Sequence, residues 1–495
     1  MQSVNISIII FVIIYQKMYR SREKGSNRLK ENYTVAFYTL GCKVNQYETE
    51  AIKEQFLKCE DGKFVVAVGA TAAADVFVIN TCTVTSLSDR KSRQMIRRAI
   101  KRNPEAVVVV TGCYSQTAPE EVAQIEGVDL VVGTSDRTLI VAQTLGLLAQ
   151  RKKYDAVIRI RDISTEAVFE PLSIDDCEDQ TRAFMKIQDG CENFCAYCKI
   201  PFARGPVRSR PLEDVILEAK RLVQAGFREI VLTGIHLASY GKDFKGSAAD
   251  GEASNGDSSE GTSLVDVLQA LAALELEPAG IGLARIRLGS VEPRTLTAAF
   301  IGAVASLPAC CPHFHVSLQS GCDRTLARMN RKYSAHEYAD AVARLRAEVP
   351  DVSLTTDIIV GFPGETADDF EESYQFVKDI GFANVHVFPF SPRKGTAAAK
   401  MTDQVAPEIK EARAARMLAL ATELAQQFHK NMLGQDWDVL VEEQNHAGQY
   451  EGHAPNFARF VFAGAGEDLT GKIVRVHAEA VIGDKIAGKY KETLK

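Results

Sequence analysis

Three cysteines, Cys191, Cys195 and Cys198, spaced C-x3-C-x2-C, constrain this chain more than any other feature. They follow the strand-like run Ala183–Ile187 and sit in a chain whose cysteine usage has no secretory logic. Thiolates this closely spaced point to metal or cluster chemistry rather than to disulfides. One short loop with three ligands wraps one face of a cubane iron–sulfur cluster and leaves the fourth iron open to a substrate or cofactor. A structural zinc site wants a fourth Cys or His close by, and Lys199–Arg210 supplies none.

Three more cysteines occupy equivalent places upstream. From Tyr33 the chain alternates short apolar strands with helical returns, the pattern of a doubly wound α/β domain. Val35–Leu40 runs into Cys42, Val76–Thr81 into Cys82, and Val107–Thr111 into Gly112-Cys113. Each thiol is expected at the carboxyl end of a buried parallel strand, the edge where open α/β sheets bind ligands. Three such thiols point to a shared metal site that again leaves one position open. The other five cysteines, Cys59, Cys177, Cys310, Cys311 and Cys322, read as buried or incidental thiols. This usage fits a reducing cytoplasm.

The chain of 495 residues is long enough for two to four domains. Residues 1–32 read as a dispensable extension. The apolar run Ile6–Tyr15 is too short to span a bilayer, and its basic residues follow it rather than precede it. A weak membrane-facing helix is the alternative, and no stable membrane partner is expected. Residues 33–146 form the first domain, and 147–180 a charged connector that includes the strand-like Ala156–Ile160.

Across 181–404 strand–helix alternation occurs six times, with strands at Phe184–Gln188, Glu229–Thr233, Ala284–Leu288, His313–Leu318, Ser353–Val360 and Asn384–Phe388. This is the pattern of a partial (β/α)6 barrel with its chemistry at the carboxyl ends. Those ends are polar or glycine-rich, as at Gly234, Glu292, Gln319 and Gly361. The stretch 246–262 has no apolar anchor and reads as a disordered insertion. Residues 405–433 read as a linker helix, and 434–495 as a small OB-like β-barrel with strands at Trp437–Glu442, Tyr450–His453, Phe457–Phe462, Leu469–Val476 and Glu479–Gly483. A net charge of −6 gives no global sign of nucleic-acid binding, so any such surface must be local. The run from Asp89 to Arg102 makes a basic helix, either a solvated face or a phosphate contact.

The first triad, with an aromatic residue before its last cysteine, resembles the radical S-adenosylmethionine (SAM) enzymes. The resemblance implies that Cys191, Cys195 and Cys198 hold a [4Fe-4S] cluster that chelates and cleaves SAM, and that Tyr197 lies against the adenine. It also implies that Gly234 contacts the SAM amino group and Gly361 walls the adenine, with Glu292 and Gln319 lining the same pocket. The second triad, in Thr39–Glu48, Asn80–Val84 and Thr111–Tyr114, resembles the methylthiotransferases within that superfamily. A second [4Fe-4S] cluster at Cys42, Cys82 and Cys113, carrying the sulfur to be transferred, is then implied. Tyr450–His453, Phe457–Arg459 and Gly471–Val474 resemble the TRAM domain, an RNA-binding barrel.

Family members act on isopentenyladenosine in tRNA, on threonylcarbamoyladenosine in tRNA, or on an aspartate of a ribosomal protein. Leu40–Glu48, His315–Asp323 and Met329–Tyr333 resemble the threonylcarbamoyladenosine branch. The isopentenyl branch usually carries Gln and Met after the first cysteine, and the ribosomal-protein branch Pro and Lys. tRNA, an electron donor and a sulfur source are the implied partners, and SAM is consumed twice. A non-enzymatic iron–sulfur carrier and a pure RNA-binding protein with structural metals are the remote alternatives; the first needs neither a six-fold barrel nor an RNA-like module, and iron and sulfide content versus zinc distinguishes the second.

Overall fold

The structure is a computed structural model, and it describes residues 32–60, 63–67, 73–150, 155–175, 180–244, 262–276, 281–464 and 466–494. Residues 1–31, Cys177 and the expected insertion at 246–261 lie outside the described residues.

The first domain is a six-stranded parallel sheet of β1 (Asn32–Thr39), β2 (Lys63–Val66), β3 (Val76–Thr81), β4 (Val107–Gly112), β5 (Leu130–Val132) and β6 (Val157–Arg159). Its order is β2-β1-β3-β4-β5-β6. Strands β3 and β4 are buried throughout, and separate apolar clusters cover the two sheet faces, as a doubly wound fold requires. The strand order reverses between β1 and β3, so the crevice of such a sheet opens beside Cys42 and Cys82. Strand β6 corrects one expectation. The stretch Ala156–Ile160, placed in the connector, pairs with β5 and completes this sheet. Its three residues are too few to carry a burial pattern of their own.

The core follows with β7 (Ala183–Asp189), β8 (Arg208–Ser209), β9 (Glu229–Gly234), the small hairpin β10 (Glu275–Leu276) and β11 (Ile281–Gly282), β12 (Arg285–Leu288), β13 (Ser290–Val291), β14 (His313–Val316), β15 (Ser353–Val360) and β16 (Asn384–Pro389). The six expected strands β7, β9, β12, β14, β15 and β16, with the antiparallel β8 and the short parallel β13, form two four-stranded sheets, β12-β9-β7-β8 and β13-β14-β15-β16. A parallel bridge from Ile286 to Cys310 joins them into a partial barrel. Capping boxes at Ser263, Ser334 and Thr366 start the return helices. Side chains alternate along a strand. Met185, Ile187, Ile230, Leu232, Ile286, Leu288, Phe314, Val316, Leu354 and Ile358 pack under the helices. Phe184, Lys186, Arg287, His313, His315, Asp357 and His386 therefore face the barrel interior.

The helix Pro407–Asn431 leads to a closed barrel of β17 (Asp436–Gln444), β18 (Gln449–His453), β19 (Arg459–Ala463), β20 (Ile473–Ile482) and β21 (Lys485–Thr493). The expected strands Leu469–Val476 and Glu479–Gly483 are one strand, β20, whose register shifts between Ala478 and Ala480. The fifth strand is β21, which sequence reading passed over because its exposed lysines mask the alternation.

This barrel docks under the amino-terminal ends of the core strands. Phe457, in a left-handed conformation (φ 69°), stacks on His313 at 4.8 Å and on His453 at 4.5 Å, with the Arg287 guanidinium 4.7 Å from its ring. Arg287 donates to the carbonyl of Pro455 at 2.9 Å, and Glu229 holds Arg287 at 2.7 Å. Phe457→Ala is expected to cost about 2–3 kcal/mol and to loosen this docking. Limited proteolysis should then cut near Leu433–Gly434 faster than in the parent chain.

Candidate iron–sulfur active site

Sequence dictates how the first triad converges. Cys42 is the N-cap of the helix Lys43–Leu57, Cys82 directly follows β3, and Cys113 opens the short helix Cys113–Thr117. Asn45 ties the strand ends together by donating to the carbonyls of Leu40 at 3.0 Å and Thr81 at 3.0 Å, and to Asn80 Oδ1 at 3.1 Å. Gly112, at φ 98°, has no room for a side chain: a Cβ there would lie 2.5 Å from the Thr81 carbonyl. The three sulfurs lie within electrostatic range of one another, with Cys42 exposed and Cys82 and Cys113 buried. Burial pushes the Cys113 thiol up to about 12, against the opposing pull of Arg204. Arg204 Nε donates to Cys113 Sγ at 3.2 Å.

The second triad sits on the loop after β7. Gly190, at φ 77°, is obligatory because a Cβ would approach the Pro206 carbonyl to 1.7 Å. Phe194 adopts φ 45° to turn the loop between Cys191 and Cys195. Burial pushes Cys191 to about 11 and Cys198 to about 12, and the charge of Arg331 opposes both shifts. Arg331 Nη1 donates to Cys195 Sγ at 3.2 Å. In each triad two thiols have burial working against their ionisation, Cys82 and Cys113 in one and Cys191 and Cys198 in the other, and each triad receives one guanidinium. Such a cation favours a thiolate or an anionic cluster. Three thiols with one cationic donor are the donor set that a cubane with one open iron requires, so the residues fit two clusters.

The expected SAM-pocket residues gather at the same rim. Glu292 meets Arg331 at 2.8 Å, Asn193 Nδ2 at 2.9 Å and His236 Nε2 at 3.2 Å. Burial opposes its charge, but the His236 hydrogen bond and Arg331 outweigh burial and hold its carboxyl below the usual range. Tyr197 packs against the cluster of Ala196, Met329, Phe362 and Phe390. Gly234 ends β9 against the Gln188 side chain, whose Oε1 accepts from the His236 backbone N–H at 2.6 Å. Gln319 has φ 71° and is bridged to Ile358. Gly361, at φ 69°, precedes Phe362 of the cluster that Tyr197 packs against; its N–H donates to Glu365 Oε1 at 2.9 Å, and it lies under Lys410 of the linker helix.

Sequence reading missed the charges between the triads. Glu48 accepts from Lys186 Nζ at 2.9 Å and meets Arg137 at 2.6 Å and Arg204 Nη2 at 3.1 Å. Lys186 also reaches Asp189 at 2.6 Å, and Arg204 Nη2 donates to Asn45 Oδ1 at 3.0 Å. The one available signal was a lysine and an aspartate inside the apolar strand Ala183–Asp189.

Two family models match: the radical SAM superfamily over residues 185–377, and a domain described as uncharacterized protein family UPF0004 over residues 34–133. The chain is 42% identical over 450 residues to the threonylcarbamoyladenosine tRNA methylthiotransferase MtaB of Bacillus subtilis, covering 90% of this chain and 93% of that one. It is 31% identical to a tRNA-2-methylthio-N(6)-dimethylallyladenosine synthase of Akkermansia muciniphila, covering 91% and 97%. Among solved structures, the radical SAM methyltransferase TsrM of Kitasatospora setae shares the fold at a TM-score of 0.56 and 14% identity, covering 78% and 89%. Fold and site together define a radical SAM enzyme. More narrowly, the chain belongs to the methylthiotransferase family, whose cofactors are [4Fe-4S] clusters and SAM. Among the described residues no helix is long and apolar enough to cross a membrane.

Two measurements check this geometry. Glu48→Gln leaves Arg137, Lys186 and Arg204 sharing a neutral group and is expected to cost about 3–5 kcal/mol. Burial works against the Glu48 charge, and the three cations outweigh it and hold its carboxyl far below the ordinary value. A depressed carboxyl stabilises above its unfolded pKa of about 4.3 and loses that contribution as pH falls below it. The acid limb of the unfolding curve should therefore flatten in the variant. Gly190→Ala should lower iron and sulfide per chain to half or less, because the Cys191–Cys198 loop no longer closes and the clash lies beside Arg204, which reaches Cys113.

Proposed function

We propose that this enzyme converts N6-threonylcarbamoyladenosine, next to the anticodon of tRNA, to its 2-methylthio derivative. The observation that carries this reading is the pair of thiol triads, one on each domain, held together through Arg204. An inert aromatic C–H cannot be deprotonated by a side-chain base at a useful rate, so the substitution needs radical chemistry. With clusters at Cys191/Cys195/Cys198 and Cys42/Cys82/Cys113, the bound groups supply a hydrogen-abstracting radical from SAM and the sulfur that replaces the hydrogen.

The chain's own residues position and shield this chemistry. Arg331 and Arg204 donate to sulfur on opposite sides of the site and offset its negative charge. Asn193 and His236 orient Glu292 at the rim, where it would line the SAM pocket beside Gly234. Tyr197 and the apolar cluster behind it exclude water from the adenine side. The carboxy-terminal barrel, read as a TRAM domain, binds the RNA, and an electron donor and a sulfur source complete the reaction. The threonylcarbamoyl branch is supported by the motif runs around Lys43, His315 and Arg331 and by the higher identity to the relative named for that nucleoside.

The test is nucleoside mass spectrometry on tRNA from cells with and without the gene. The methylthio mark on threonylcarbamoyladenosine should vanish while isopentenyladenosine modification stays intact. Loss of the isopentenyl product alone would move the enzyme to the other tRNA branch, and no change in either would point to the ribosomal-protein aspartate. Complementation with Cys191→Ala or with Cys82→Ala should fail equally.

A further inference from the structure

We infer that the core barrel carries a subsite for the threonyl end of the substrate, in which Lys43 and His386 take the carboxylate and Asp357 takes the hydroxyl. This rests on the reaction proposed above and names the residues that choose its substrate.

Lys43 follows Cys42 directly, and the next turn of its helix is fixed by buried Tyr47 and Glu48. Its ammonium is 6.0 Å from the centroid of Phe184, an interior residue of β7, and its charge reaches His313 and His386 across the barrel. Among the described residues Lys43 makes no hydrogen bond or ion pair, although it is half-buried. The neighbouring interior cations are all compensated. Lys186 has Glu48 and Asp189, and Glu229 serves Arg182, Arg285 and Arg287. One ammonium is left to meet an anion that the chain does not supply, and a half-desolvated charge without a partner is costly.

The facing wall supplies the rest. His315 Nε2 lies 3.2 Å from Asp357 Oδ2 and its Nδ1 lies 3.0 Å from Thr355 Oγ1, so both ring nitrogens are engaged. The His386 side chain makes no hydrogen bond among the described residues, and its ring centroid is 5.9 Å from that of His315. One ligand atom each from His315, Asp357 and His386 lies within 4.8 Å of the others, which resembles a metal triad. The unpaired ammonium of Lys43 in the same space opposes a dication and favours an anion.

A threonylcarbamoyl group brings a carboxylate and a hydroxyl on one short branch, matching two donors and one acceptor. An isopentenyl group brings neither and would bury Lys43 and His386 unpaired. Sites built to hydrogen-bond a substrate reject analogues lacking the polar group far more strongly than apolar pockets reject polar ones.

The test uses reconstituted holoenzyme and anticodon stem-loop RNA carrying threonylcarbamoyladenosine as the free acid or as its methyl ester. Lys43→Gln should weaken binding and kcat/KM for the acid roughly 10- to 100-fold and leave the ester unchanged. The parent enzyme should lose about as much on esterification, so the two losses do not add. Lys43→Arg should restore most of the affinity for the acid, and His386→Asn should lose less than Lys43→Gln. Iron, sulfide and SAM affinity should stay at parent levels. Equal loss on acid and ester, or a fall in SAM affinity, would overturn the subsite. So would a zinc or manganese equivalent bound by the parent and lost in His386→Asn. A parent enzyme that turns over neither form would overturn the proposed reaction itself, and the subsite with it.

Discussion

Glu48 is fully buried and faces Arg137, Lys186 and Arg204, and the relation between the two halves of the molecule depends on that cluster of charges. Arg137 shares its domain, whereas Lys186 and Arg204 belong to the core. Removing a carboxylate and three cations from water costs several kcal/mol per ion, and only dense mutual pairing offsets it. Such a network adds little net stability. It gives a single allowed register, because any slip strands a buried charge.

That register has a chemical use. Arg204 lies in the short helix that follows the Cys191–Cys198 loop, and it also donates to Cys113 of the other triad. A shift of the radical-SAM loop is therefore felt at the auxiliary thiols through one guanidinium. A second tie acts on the opposite side. Arg393, after β16, donates to the Thr83 carbonyl at 2.9 Å and meets Asp89 at 2.7 Å, next to Cys82. Two separately folded sheets thus present their carboxyl edges to one space, as a reaction using both clusters on one carbon requires.

Strands and cysteines were legible in the sequence because each is a local signal. Val76–Thr81 and Val107–Gly112 are short apolar runs, and the thiols follow at their ends. Glu48 was not legible, since its partnership with Lys186 spans 138 residues and it reads alone as an ordinary surface charge, and the lysine inside an apolar strand did not say what it pairs with. The same holds for Arg331, which was visible as part of a motif but not as the donor to Cys195. Lys485–Thr493 was missed because its outward residues are mostly lysines and glutamate, although it folds back on β20 as an antiparallel hairpin and pairs in parallel with β19 on its other edge. Phe457 gave no hint of its stacking role, which exists only where His313 and His453 meet.

The placement of the small barrel restricts how RNA can reach the site. It binds the amino-terminal ends of β12 and β14, whereas the Cys191–Cys198 loop follows the carboxyl end of β7. A strand of six to eight residues spans about 20–26 Å, so an RNA that touched this barrel would have to extend at least that far along the core to present its base. A folded stem-loop can do so and a free nucleoside cannot. The helix Ser86–Arg102 lies at the triad edge, and among the described residues its exposed Arg90, Lys91, Arg97, Arg98 and Lys101 make no ion pairs. A phosphate backbone leaving the barrel toward the site would meet positive charge there. An overall net charge of −6 conceals that local surface, because acidic residues elsewhere in the chain cancel it in the sum.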